Sequence, residues 1–170
     1  MRFGSIISSL LVAMCSTTAT AAEQAFYGKT FVVWYSVQGS PLSFRFYVSG
    51  DGTLFAYSNY GKRCSGTGSF TKLNSSNTSR NACEGPAGRV TRHFDTSAAL
   101  SGNTLEVEQR VRAVYGSGSA DSHITYRTAF SYDGKSCQAI SYRANGDSFA
   151  PLRCSVQGGN TATRNKQSER

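Results

Sequence analysis

Apolar side chains recur at every second position through most of this chain, and Gly, Asn and Asp punctuate the runs. A period of two places alternate side chains on opposite faces of a strand, so the pattern predicts antiparallel strands joined by hairpins. Residues 30–37, TFVVWYSV, are apolar on both faces, which suits a central strand covered on both sides or one lining a barrel. In residues 42–48, LSFRFYV, the alternation points Leu42, Phe44, Phe46 and Val48 inward and Ser43, Arg45 and Tyr47 outward. Asp51-Gly52 then reads as a two-residue type I′ turn, which would set Val48 opposite Phe55 and Phe46 opposite Tyr57.

The stretch 61–88 has few large apolar residues and reads as a long loop with one short strand near 69–73. Residues 89–94 form a short strand candidate, and 95–100 a turn or a single helical turn. Gly102-Asn103 turns the chain into 104–115, where Leu105, Val107, Val111, Ala113 and Tyr115 share one face and Glu106, Glu108, Arg110 and Arg112 the other. A loose turn at 116–120 leads to 123–132, which collects Ile124, Tyr126, Thr128, Phe130 and Tyr132 on one side. Asp133-Gly134 turns again.

Asn145-Gly146 is the strongest two-residue turn signal in the chain. Counting outward from it pairs Ala144 with Asp147 and brings Cys137 directly opposite Cys154, a non-hydrogen-bonded pair with Cα atoms ~4.5 Å apart. That distance is within disulfide reach. Pro151 conflicts with a regular ladder here because it has no N–H, and a bulge or an unpaired edge would accommodate it. The expected fold class is all-β: an up-and-down antiparallel meander of about seven to nine strands, forming a small barrel or a sandwich.

The first residues change the picture of where the domain lies. Arg2, the apolar stretch 6–14 and the small residues Ala19-Thr20-Ala21 make the three-part pattern of a secretory signal. The apolar stretch is shorter than the roughly 20 residues a bilayer span needs, and no later segment is apolar enough, so no transmembrane segment is expected. Cleavage is expected after Ala21 or Ala22. Lipid attachment at Cys15 is the alternative, disfavoured by Met14 where a small residue is preferred. The expected organisation is a signal over 1–22, one β domain over 23–157 and a disordered basic tail over 158–170. Taking 22 residues from 170 leaves 148, a length that fits one domain with a real core.

Export bears on the cysteines. Cys64, Cys83, Cys137 and Cys154 remain, an even number in an oxidising compartment, which implies two disulfides. A Cys64–Cys83 bridge would tie down the polar stretch between them, with a contribution of about 3 kcal/mol in the chain-entropy model. The cysteines form no Cys-x-x-Cys pair and no close metal spacing, so neither a redox motif nor a metal site is expected.

The chain carries 18 Lys and Arg against 10 Asp and Glu, a formal charge of +8. Such a balance serves solubility, or adhesion to an anionic partner such as lipid headgroups, acidic polysaccharide or nucleic acid. Arg45, Arg110, Arg112, Arg127 and Arg143 are the candidate binding residues, near Tyr47 and Tyr142. Stacking with backbone contacts could serve single-stranded nucleic acid, but no recognition motif accompanies them, and an exported protein seldom meets nucleic acid.

The inventory for catalysis is thin. His93 and Asp95 share a strand face, and Asp121-Ser122-His123 contains the three triad residue types, but adjacent residues point in different directions and triads assemble from separate segments. Glu106 and Glu108 share a face with Arg110 and Arg112, so charge pairing explains them better than a glycosidase pair does. No Gly-rich phosphate loop opens a helix. No catalytic residue and no cofactor is therefore assigned. Asn74 and Asn77 begin Asn-x-Ser/Thr sequons, meaningful only in a eukaryotic secretory pathway.

The stretches GKTFVVWYS, LSFRFYVSGDGTLF and FSYDGKSCQAIS, with the export signal, resemble small exported β-rich proteins of soil- and root-associated alphaproteobacteria. No activity is assigned to that group, so the resemblance implies compartment and strand content and transfers no site residues. The segment from Gly28 to Trp34 is also similar to the first strand of lipocalins, although Trp34 stands six residues after Gly28 rather than two. A lipocalin-type ligand cavity is what that likeness implies.

Together these readings lead to an exported, periplasmic or secreted binding module for a small apolar ligand or an anionic surface. The alternatives are a protein-interaction factor, in envelope assembly or as a protease inhibitor, and a hydrolase.

Overall fold

A computed structural model describes residues 20–58, 63–66, 68–85, 88–116 and 122–159. Cys15, all of the expected signal before Thr20, the turn residues 117–121 with Asp121, and the tail from 160 lie outside them. The described residues form one short helix, α1 (Ala21–Gln24), and eleven strands: β1 (Lys29–Val37), β2 (Ser40–Val48), β3 (Thr53–Ser58), β4 (Arg63–Gly66), β5 (Ser69–Lys72), β6 (Ser75–Gly85), β7 (Gly88–Ser101), β8 (Thr104–Tyr115), β9 (Ser122–Tyr132), β10 (Cys137–Ala144) and β11 (Asp147–Gly158). No helix among them is long and apolar enough to cross a membrane.

All pairings are antiparallel, in one sheet ordered β4-β6-β7-β8-β9-β10-β11-β1-β2-β3-β5. The all-β meander expected from the alternation is present, with eleven strands rather than seven to nine. It curls into a nearly closed barrel because β11 returns to pair with β1 and β5 packs back against β6 and β7. That last seam is made largely by side chains. Asn77 Nδ2 donates to the Phe70 carbonyl at 3.2 Å, Ser69 and Thr96 share a hydrogen bond, and the Asn74 side chain accepts from Leu100 N at 2.8 Å.

The extra strands come from the polar stretch. Residues 75–85 are strand β6, paired over its whole length with β7, and not loop. Residues 95–100 continue β7 and do not turn. Strand β6 lacks an apolar rhythm because its inward side faces the polar seam, where Ser69, Thr71, Ser79 and Thr96 are buried, while Ala98 and Leu100 of β7 pack on the apolar core. Ladder hydrogen bonds to both neighbours hold a strand of this kind without an apolar stripe.

A second correction concerns β2 and β3. Ser49 N donates to the Thr53 carbonyl at 2.9 Å and Gly52 N to the Ser49 carbonyl at 3.1 Å, so the loop has three residues rather than two. Gly52 takes the left-handed position at φ +76°, the three-residue alternative to a type I′ turn. Asp51 stabilises it by accepting from Thr53 N at 3.1 Å and from the Ser49, Thr53 and Lys72 side chains. The register moves by one: Val48 faces Leu54 and Tyr47 faces Phe55. Every β3 side chain therefore changes face. Leu54 and Ala56 are buried. Phe55 lies beside Tyr47 and Phe70 instead, at ring-centroid distances of 6.1 and 6.0 Å.

The final hairpin follows the turn. Asn145 and Gly146 both have positive φ, Ala144 pairs with Asp147, and Cys137 is bridged to Cys154 with Cα atoms 5.3 Å apart. Pro151 is accommodated by a bulge at Leu152, where the pairing with β1 passes from Arg153 to Pro151. Ile140 is the matching extra residue of β10 against β9. One extra residue on each strand preserves the count from turn to cystine. These two bulge residues are also the exposed large hydrophobics of the described chain.

Candidate functional site

The barrel interior is filled at one end and open at the other. The chain ahead of β1 closes the filled end, where Phe26 drops into the core. Phe26, Phe31, Phe46, Phe130 and Tyr132 form a cluster with ring centroids 5.1 to 6.3 Å apart. Tilted and edge-on rings fill such a volume with little void.

Further along the axis the filling stops. Inward side chains of β7, β8 and β9, with Phe44 of β2, enclose a cavity of about 320 Å³. Its walls are Phe44, Phe94, Val111, Ala113, Ile124 and Tyr126, and the polar groups reaching it are Arg92, Gln109, Tyr115 and Ser122. Alternation explains this lining. Val90, Arg92 and Phe94 share the inward side of β7, as Gln109, Val111, Ala113 and Tyr115 share that of β8. Gln109 is held in place because its Nε2 donates to Ser69 Oγ at 2.8 Å.

A second depression adjoins the first through the shared Ile124 and Tyr126, and runs toward Leu42, Tyr142 and Phe149 at the hairpin ends. Tyr126 and Tyr142 line it, and Phe44 of the first cavity lies 4.9 Å from Tyr142 and 6.3 Å from Tyr126. Tyr35, whose ring lies 5.0 Å from that of Tyr142, is buried and donates to the Ala129 carbonyl at 3.2 Å. Desolvation, with a contribution from Tyr142, pushes its pKa above the usual phenol value, so it stays a neutral donor.

The arginines singled out in the sequence lie elsewhere. Arg110, Arg112, Arg127 and Arg143 share the outer face of β8, β9 and β10, where cross-strand pairing sets Glu108 beside Arg127 and Arg127 beside Arg143. His93 and His123 flank Arg112 on the same face, and Arg80 lies next to His93. Glu108 accepts from Arg110 Nε at 2.8 Å and Arg127 Nε at 2.6 Å. Partial burial works to raise the Glu108 pKa, but the two guanidinium groups outweigh it and hold the carboxyl below its ordinary value. Arg45 is not part of this group: it sits on β2, between Val32 and Tyr57.

Arg92 was missed by the sequence reading, as were the cavity walls Phe44 and Phe94 as a set. The signal existed in Val90-x-Arg92-x-Phe94, which puts a cation on an apolar strand face. Their meeting with Phe44 depends on barrel closure. Cys64 stands directly opposite Cys83 in the β4–β6 ladder.

No protein-family model, curated protein or solved structure matches this chain.

Proposed function

We propose that this chain is an exported binding module that takes a small, largely apolar ligand into the open end of its barrel. One observation carries the reading: a cavity of about 320 Å³ lies inside a barrel whose other end is plugged by Phe26 and its aromatic neighbours. Ligand sites run from ~300 to ~1,000 Å³ with mainly apolar walls and a few placed polar groups, and this cavity has that composition at the small end of the range. The Cys137–Cys154 bridge supports an oxidising compartment, in keeping with the export signal.

The test is titration of the oxidised protein with a neutral naphthyl dye whose fluorescence rises in apolar surroundings, together with solvent extraction and mass spectrometry of protein from its native compartment. Saturable dye binding is expected, and Val111→Trp, which fills the cavity, should abolish it while the thermal melt stays cooperative. Dye binding that survives this substitution would sink the proposal.

A second reading, adhesion to an anionic polymer or lipid surface, is supported by Arg110, Arg112, Arg127 and Arg143 sharing one outer face. Glu108 already compensates two of the four, so the interior remains the favoured site.

A further inference from the structure

We propose that the ligand is a flexible single-chain molecule of alkyl or acyl type, longer than the cavity alone can hold, which fills the cavity with its tip and continues into the adjoining depression; this rests on the cavity reading above. At ~30 Å³ for each water-sized group, the cavity of about 320 Å³ holds about ten heavy atoms. The depression beside it adds about 490 Å³. Ile124 and Tyr126 are a wall common to both. They stand two positions apart on β9 and so project from the same face of that strand.

Strand order makes the two lobes one mouth. The cavity is walled by β7, β8 and β9, and the depression by β9, β10, β11, β1 and β2, which follow one another in the sheet. The lining positions fall in the first halves of β7, β9, β11 and β2 and in the last halves of β8, β10 and β1. In an antiparallel barrel those halves lie at the same end. The surface joining the lobes is apolar. Phe44 of the cavity lies 4.9 Å from Tyr142 of the depression, and Tyr142 lies 5.3 Å from its cross-strand partner Phe149, with Leu42 and Val37 on the far side. A methylene chain that passes Ile124 and Tyr126 therefore leaves water along its whole length, and each methylene contributes to binding. A compact ring system would fill the cavity alone and leave the apolar depression wet. The polar groups of the depression, Ser40, Asn145 and Asp147, are exposed at the two hairpin ends on its rim, where the polar end of such a chain would meet water.

The experiment follows displacement of the naphthyl dye by neutral 1-alkanols, from hexanol to dodecanol. It uses the full oxidised chain as wild type, Phe149→Ser and Leu42→Ser. Affinity should rise along the series, and dodecanol should bind the wild type about tenfold tighter than decanol, the effect of two methylenes entering partly covered apolar surroundings. Each substitution should cut that last step to less than about threefold. Hexanol, which fits within the cavity, should displace the dye from both variants as it does from the wild type. If dodecanol binds the wild type no tighter than decanol, or the full step persists in both variants, the ligand ends at Tyr126 and the inference falls while the cavity stands. If the dye itself does not bind, the cavity reading falls with it.

Discussion

Phe26, from the segment ahead of the first strand, places its ring centroid 5.2 Å from that of Phe31 in β1, and both side chains are fully buried. The N-terminal segment is thus part of the core, and Phe26 stands four or five residues beyond the expected cleavage point after Ala22 or Ala21. Phe26→Ala should destabilise the protein by about 3–5 kcal/mol, the range for removing a buried phenyl ring. Urea unfolding followed by Trp34 fluorescence measures this. Because Phe26 lies at the closed end, the folded variant should retain dye binding at the open one.

The Cys137–Cys154 bridge spans 17 positions of sequence. Closing a loop of that length stabilises the fold by about 3 kcal/mol in the chain-entropy model. Replacing both cysteines by Ser should lower the unfolding free energy by that order in urea titrations. Unreduced peptide mapping should recover 137 linked to 154 and, from the β4–β6 register, 64 linked to 83. A 64–137 or 83–154 linkage would contradict the register.

Glu108 ties the outer face together, and its lowered pKa sets a direction with pH. A carboxyl whose folded pKa lies below its unfolded value contributes stability above the unfolded value, about 4.3, and loses it as pH falls through the folded one. Wild-type stability should therefore drop on acidification below about pH 4.3. In Glu108→Gln the drop should be shallower and stability near neutrality lower, measured by thermal melts across pH 3–7.

The three-residue loop between β2 and β3 depends on Gly52 at φ +76°. A side chain there is strained, and its Cβ would also lie 3.4 Å from the Tyr27 hydroxyl. Gly52→Ala should cost about 1–2 kcal/mol, read from denaturant midpoints. A neutral effect would mean that the loop can relax to a different turn.

The outer arginines make a separate prediction. If an anionic surface is a partner, flotation with anionic vesicles should retain the protein at low salt and release it as ionic strength rises. Arg112→Gln combined with Arg143→Gln should weaken that retention and leave dye binding intact. Vesicle binding that ignores both salt and these substitutions would exclude the outer face.

Much of the architecture was legible from side-chain alternation. Strands β1, β2, β8 and β9 announce themselves because one face of each lies against an apolar core. The β10–β11 turn is readable because Asn145-Gly146 admits essentially one loop, and the cystine then follows by counting. Strand β6 was hidden because its inward neighbours are Ser and Thr at the seam, and the second half of β7 because Leu100 is the one large apolar side chain on its inward run of Thr96, Ala98 and Leu100. The β2–β3 register was hidden because Gly50-Asp51-Gly52 permits loops of two or three residues. The hydrogen bonds of Asp51 to Thr53, Ser49 and Lys72 favour the longer one.

By itself the sequence determined which side chains share a strand face and where the last hairpin reverses, since both follow from local geometry. Tertiary structure alone decided that β11 closes onto β1, that Phe44 meets Phe94 and Tyr126 around an open volume, and that Arg92 faces inward while four other arginines face out together. These outcomes depend on strand order around the barrel. That order is set by contacts between residues far apart in the chain, which no local pattern encodes.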